Sequence, residues 1–392
     1  MAENNAGAGF DRWIFISATF LLIMSVILIG SSSIMESEKL YHSDFYLLIK
    51  HVISIAVACV LAFFCALIPS NVLDKHSLKF MIAITVMLIL VLLIGRSING
   101  ARRWINLGVV NLQPAEFLKL CWILYLSRFV SRRVIEVRTS LLGFLKPFLL
   151  VFLIAVLLLF QPDMGSLVVI AVLSLGLLWT GGAKFVYYAF LLVAVALACA
   201  VLVLVKPYRL LRVTSFMDPW ADQFGSGYQL TQSLMAFGRG GLWGQGLGNS
   251  IVKLGYLPEA HNDFVTSILG EELGFVGLCV VLVLEYIIII KAVRLGFKIL
   301  RKGPVFQGFA ACGIGFLFCT QTFVNIGAAS GALPTKGLTL PLVSFGGSSM
   351  IVFCCAVAIL LRIDFEYRHG RINFQVPEEK DAKANMHEVI SR

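Results

Sequence analysis

The chain has 392 residues, 59% of them hydrophobic and only 14% charged, with a mean hydropathy of +0.89 and a formal charge of +10. Soluble domains carry about a quarter charged residues, so this composition excludes a water-soluble globular protein. The positive charge is spread through short segments between apolar runs and forms no basic helix or stripe, which sets nucleic acid aside in favour of membrane topology.

Apolar runs near the roughly 20 residues that cross a bilayer recur from end to end. The first, 13–33, is too long for the apolar core of a secretory signal and reads as a retained helix. Spans follow at 46–68, 79–95 and 115–130, then at 144–160 and 164–181, separated only by Gln161-Pro162-Asp163. The remaining spans are 185–205, 264–290, 306–330 and 341–362. The expected fold is therefore an all-α polytopic membrane protein of about ten transmembrane helices. A long extracytoplasmic loop, 206–262, joins helices seven and eight. Within it, Tyr228 to Phe237 is amphipathic and suited to lie on the outer leaflet surface. Residues 1–371 read as one transmembrane domain, and the polar tail 372–392 is expected to be disordered. Lys and Arg favour one set of connecting segments about two to one, which places both termini in the cytoplasm. All nine cysteines fall in apolar runs without metal-ligand spacing, as small core residues do. No internal repeat of the transporter kind is present.

Polar groups at membrane depth need a reason, and here they gather at the outer ends of the spans. The first cluster holds Arg102, Arg103, Glu116 and Lys119. The last two are spaced i,i+3, which suits a self-neutralising pair or one wall of a cationic cavity. In the second, Pro162 breaks one span and Asp163 is placed to cap the next. The third contains His261, Asn262 and Asp263, then Glu271 and Glu272. Asp263 stands where the long loop enters a span, either as a helix cap or as a carboxylate at the mouth of a cavity. The fourth runs from Asn325 through Lys336 to the Gly346-Gly347-Ser348-Ser349 run, where small residues permit close helix packing. The glycine-rich run from Gly238 to Gly248 follows no strand and has no Walker lysine, so it reads as turns rather than a nucleotide loop.

Taken together, Asn99-Gly100-Ala101-Arg102-Arg103-Trp104, Gln161-Pro162-Asp163, Phe216-Met217-Asp218-Pro219-Trp220, Gly227-Tyr228-Gln229-Leu230 and Pro258-Glu259-Ala260-His261 resemble the SEDS family (shape, elongation, division and sporulation) from Phe10 to Arg371. The motifs around His261 and Lys336 look like the division-type members rather than the elongation type. Two departures are visible: Asn262 where threonine is usual, and Phe345 where tyrosine is usual. The resemblance implies a peptidoglycan glycosyltransferase that polymerises lipid II at the outer membrane face, with a class B penicillin-binding protein and other divisome proteins as partners. By position, Asp263 would be the catalytic carboxylate and Arg102, Glu116, Lys119 and Lys336 cavity residues. Arg239, His261 and Glu272 complete the candidate substrate-binding set. The donor would arrive activated as a polyprenyl pyrophosphate, so no nucleotide is needed. Fixed cations would stabilise the departing pyrophosphate. No protein metal site is expected, and a divalent cation, Mg or Mn, is the one cofactor that could share that work. The start of a helix favours the ionised form of Asp263, while partial burial opposes it. A lipid II flippase or an elongation-type polymerase is the alternative function.

Overall fold

The computed structural model describes residues 9–98, 101–106, 111–193, 218–225, 227–257, 261–334 and 337–374. The chain opens with α1 (Arg12–Ser32), the short α2 (Ile34–Tyr41), α3 (Tyr46–Leu67) and α4 (Ser70–Ile94). A small antiparallel sheet follows, β1 (Arg96–Ile98), β2 (Ala101–Asn106) and β3 (Asn111–Leu112), in spatial order β1-β2-β3. Then come α5 (Pro114–Arg132), α6 (Val134–Thr139), α7 (Leu141–Phe160) and α8 (Met164–Thr180). Residues 185–193 are helical, and the rest of the expected seventh span lies outside the described residues. The chain continues with α9 (Tyr228–Gly240), α10 (Val265–Leu300), α11 (Phe306–Ala329) and α12 (Gly347–Arg368).

Seven described helices are long and apolar enough to cross a bilayer: α1, α3, α4, α7, α10, α11 and α12. Two more expected spans correspond to α8, which has 17 residues, and to α5, which is more polar because it carries Glu116, Lys119 and Arg128. α5 can hold these groups because it is largely buried among α4, α8, α11 and α12 rather than facing lipid. α11 and α12 are buried along most of their length and form the centre of the bundle. α1, α3 and α4 instead leave rows of apolar side chains outward, as lipid-facing helices do.

The ends of the helices follow from local chemistry. Asp11 caps α1 by accepting from the Trp13 N–H at 3.0 Å. Asp163 caps α8 twice, accepting from the Ser166 N–H at 3.1 Å and its hydroxyl at 2.7 Å. Pro114 stands in the first turn of α5, where its missing N–H is not needed. Both described ends of the chain lie at one face of the bundle, since Asp11 pairs with Lys291 at 2.9 Å and with Arg368 at 3.8 Å. The start of α10, with Asp263, lies at the opposite face.

The structure departs from the sequence expectations in several places, among them α4, which starts at Ser70 rather than 79, and α10, which runs to Leu300 rather than 290. The strands between α4 and α5 were not expected, although the Asn99-Gly100 dipeptide between β1 and β2 favours hairpins. The tenth span begins at Gly347 rather than 341, because 341–346 is an irregular segment packed at the same end of the bundle as the start of α10. α9 lies on protein rather than only on the leaflet: its buried Ser233 hydroxyl is 2.6 Å from the Ser267 hydroxyl and donates to the Ala329 carbonyl at 2.6 Å. At the start of the tail, Ile372 is buried and Lys302 stands over the Phe374 ring; residues 375–392 lie outside the described residues.

Candidate active site

Asp263 stands half-buried just before α10. Its place is fixed from α11, where the buried Asn325 amide donates to the Asp263 carbonyl at 3.0 Å and to the Leu338 carbonyl at 2.6 Å. The Asn325 carbonyl in turn accepts from the Thr266 hydroxyl at 3.2 Å. One side chain thus joins the turn before α10 to the segment before α12. The Phe345 N–H adds a second tie by donating to the His261 carbonyl at 3.0 Å. The carboxylate lies so close to Gly337 that a Cβ there would sit 2.6 Å from Asp263 Oδ2, so glycine is needed for this approach.

Segment 337–346 is where the helix ends around Asp263 meet. Leu338 covers Gly165 in the first turn of α8. Thr339 and Ser349 share a hydrogen bond of 2.6 Å. The Val343 carbonyl accepts from Ser25 of α1 at 2.7 Å, and Ser25 also meets His51 of α3 at 2.7 Å. The Phe345 ring stands between His51 and His261, with centroids 5.6 and 5.1 Å away. Ser348 links β3 to α12, accepting from the Gln113 N–H at 2.8 Å and donating to the Asn111 carbonyl at 3.0 Å. The fully enclosed Leu342 holds a left-handed φ of 57°, which costs about 1–3 kcal/mol and persists only where its surroundings dictate it.

The glycine-rich run has a role that composition did not reveal. α10 is broken at Gly274, with φ 66° and ψ −167°. An unbroken helix would bond the N–H groups of Phe275 and Val276 to the carbonyls of Glu271 and Glu272. Here the Phe275 and Val276 N–H groups donate instead to the carbonyls of Gly241 and Leu242, at 3.0 and 3.1 Å. The Glu271 and Glu272 carbonyls accept from the N–H groups of Gln245 and Gly246, both at 2.9 Å. Loop 241–246 is spliced into the broken helix and satisfies all four freed groups, as apolar surroundings demand. The approach requires glycine on both sides: a Cβ on Gly244 would lie 2.2 Å from the Glu272 carbonyl oxygen, and one on Gly274 2.4 Å from the Gly244 nitrogen. The splice sets the direction of the half-helix 265–273 that Asp263 precedes.

The other candidate residues fall into two groups. Arg102 is exposed and reaches the Leu92 carbonyl at 3.3 Å, which leaves most of its guanidinium accessible. His261 is buried, with Nδ1 2.9 Å from the Glu36 carboxylate. Lys336 lies outside the described residues. Arg239, Glu272, Glu116 and Lys119 are engaged within the protein. Arg239 pairs with the fully buried Glu271 at 2.9 Å, and Glu271 also accepts from the Ile251 N–H at 3.0 Å. Glu272 accepts from Ser31 at 2.6 Å and Lys253 at 2.8 Å. Glu116 and Lys119 form a pair of 2.5 Å inside the bundle, with Lys119 wholly enclosed. A buried cation is tolerable only when paired, so the self-neutralising arrangement accounts for these two in this conformation. Arg103, not a candidate, anchors the α7–α8 turn through the Gln161 carbonyl at 2.9 Å and the Pro162 carbonyl. Sequence reasoning gave no role to Asn325, Ser25, His51 or Lys253; the one available signal was a polar residue inside or beside an apolar run. Among the described residues no group of three or more His, Cys, Asp or Glu is placed to hold a metal ion.

Comparison with known proteins agrees with this architecture. The family model described as cell cycle protein, which unites FtsW, RodA and SpoVE, matches residues 11–369. A probable peptidoglycan glycosyltransferase FtsW from Tolumonas auensis is 50% identical over 92% of this chain and 93% of its own length. Its namesake from Aeromonas salmonicida is 48% identical over 94% of each chain. Among solved structures, a chain of a peptidoglycan synthase complex that coordinates polymerization and crosslinking superposes with a TM-score of 0.77 at 27% identity, over 93% of this chain and 99% of that one. The rod shape determining protein RodA of Thermus thermophilus shares the fold, with a TM-score of 0.65 at 24% identity over 91% of this chain and 97% of its own. With the family model matching residues 11–369 and relatives 48–50% identical over more than nine-tenths of its length, the chain belongs to the FtsW, RodA and SpoVE family of cell cycle proteins.

Proposed function

We propose that this protein is a peptidoglycan glycosyltransferase of the division type, polymerising lipid II into glycan strands at the outer face of the cytoplasmic membrane. Sequence similarity to relatives named probable peptidoglycan glycosyltransferase FtsW, at 44–50% identity over most of the chain, carries the reading. Both termini lie in the cytoplasm, and the protein acts at the septum beside a class B penicillin-binding protein that crosslinks the product, together with other divisome proteins. The synthase complex among its structural relatives supports such a partner.

In the proposed mechanism Asp263 is the general base. It takes the proton from the acceptor sugar's 4-hydroxyl as that oxygen attacks the donor's anomeric carbon. The new glycosidic bond forms as the bond to the pyrophosphate oxygen breaks, with inversion, and polyprenyl pyrophosphate leaves with the electron pair. General base catalysis of this kind typically contributes about 10²–10⁴-fold. The position supports the role: Asp263 is half-buried, precedes a helix N-terminus and has its backbone clamped by Asn325. Arg102 and Lys336 are the cations proposed for the departing pyrophosphate. Lys119 and Arg239 would join them only by leaving Glu116 and Glu271. A Mg or Mn ion would reach the site on the pyrophosphate itself.

The test is lipid II polymerisation by the purified protein with its crosslinking partner. Asp263→Asn should lose activity by at least about 100-fold. Normal turnover in that variant would remove Asp263 from the base role, and lipid II flipping without polymer would favour a transporter.

A further inference from the structure

We infer that Glu36 is a positioning residue for the proposed base, acting through His261 to fix the turn on which Asp263 stands. The inference rests on the assignment of Asp263 given above. Glu36 lies on α2, an eight-residue helix between α1 and α3 at the outer face. That helix is itself held: the buried Ser37 hydroxyl donates to the Ser43 carbonyl at 2.5 Å and accepts from the Leu47 N–H at 3.2 Å. From this support Glu36 Oε2 reaches His261 Nδ1 at 2.9 Å.

His261 is 5% exposed and its Nδ1 makes no well-aligned hydrogen bond among the described residues, so the Glu36 carboxylate 2.9 Å away is the close polar neighbour against which the ring rests. Among the described residues, the edge of the Phe345 ring also meets the His261 ring at 5.1 Å, and the Phe345 N–H donates to the His261 carbonyl at 3.0 Å. Asp263 is two residues along the same turn. A carboxylate on α2, 227 positions earlier in the chain, thus sets one side of the turn whose other side Asn325 sets. Lys39, one turn further along α2, also acts on Glu36 by its charge but does not displace His261 as its close partner. Misplacing a reacting group by about 1 Å can reduce turnover about 100-fold, which is the scale a positioning residue governs.

The experiment uses the full-length protein with its crosslinking partner and lipid II as substrate. Glu36→Gln should lower kcat about 10-fold or more, with KM little changed and a cooperative melting transition retained at a modestly lower midpoint. Glu36→Asp, which keeps the charge, should recover part of the loss. In a His261→Asn background Glu36→Gln should add little, because its route to the base is already cut. An unchanged kcat in Glu36→Gln, with Asp263→Asn inactive, overturns the inference and leaves the base assignment standing. So does a loss in Glu36→Gln that adds in full to that of His261→Asn. An active Asp263→Asn variant would instead overturn the base assignment, whatever Glu36 does. Should Glu36→Gln fail to fold, the same cycle is run with Glu36→Asp, whose shorter arm should lower kcat at constant KM; wild-type turnover there, and in its cycle, overturns the inference.

Discussion

Gly274→Ala tests the splice between loop 241–246 and α10. A Cβ at this position would lie 2.4 Å from the Gly244 nitrogen and 2.5 Å from the Leu242 carbonyl oxygen, both backbone atoms that cannot swing aside. Alanine also disfavours the left-handed φ of 66°. The variant must therefore expel the loop, and the four cross-bonds at 2.9, 2.9, 3.0 and 3.1 Å are lost together. If α10 heals into a continuous helix, it recovers the four groups on its own side. The N–H groups of Gln245 and Gly246 and the carbonyls of Gly241 and Leu242 are then left without partners. If only two of these stay out of water, the cost is about 2–6 kcal/mol, at roughly 1–3 kcal/mol for each orphaned group. Thermal unfolding of the purified protein in detergent should show a clear drop in midpoint. Polymerisation should fall with it, because the half-helix behind Asp263 changes direction. A Gly274→Ala variant with wild-type midpoint and wild-type turnover would refute the splice as a determinant of the site.

Gly337→Ala should impair polymerisation strongly while stability falls by less than about 1–3 kcal/mol, since its Cβ would displace the Asp263 carboxylate from 2.6 Å away; steady-state kinetics beside a melting curve check both. Lys119→Met alone should destabilise by about 3–5 kcal/mol, because it leaves the Glu116 carboxylate buried without its cation. Adding Glu116→Leu should return most of that stability, read from denaturation midpoints of the two variants. The His261 imidazole holds the Glu36 carboxyl below its ordinary value of 4.5, outweighing burial, which raises it. A folded-state value below the unfolded one means the pair's stabilisation is present in full above about pH 4.5 and is lost as pH falls through the lower folded value. Glu36→Gln should therefore narrow the difference in stability between pH 6 and pH 3, measured by the shift in melting midpoint.

The apolar runs alone determined that the chain crosses a membrane repeatedly, and they located nearly all the helices, because burying a span's backbone in lipid leaves helix as the only open-chain solution. The Asp163 cap was legible for a similar reason: it depends on neighbours a few residues away. Asp263 was singled out only by the resemblance to the SEDS family, since its place before a span fits a helix cap equally well. The surroundings of Asp263 were not legible, since Asn325, Gly337 and Phe345 reach its turn from 62, 74 and 82 residues further along the chain. Nor could spacing tell that Arg239 and Glu272 belong to ion pairs with Glu271 and Lys253, because one charged residue in sequence fits a ligand or a partner equally well. The break at Gly274 and the loop that mends it are the clearest case. Glycines in both segments signal permission for an unusual backbone, but which backbone meets which is a matter of long-range packing, and only the folded bundle brings the two together.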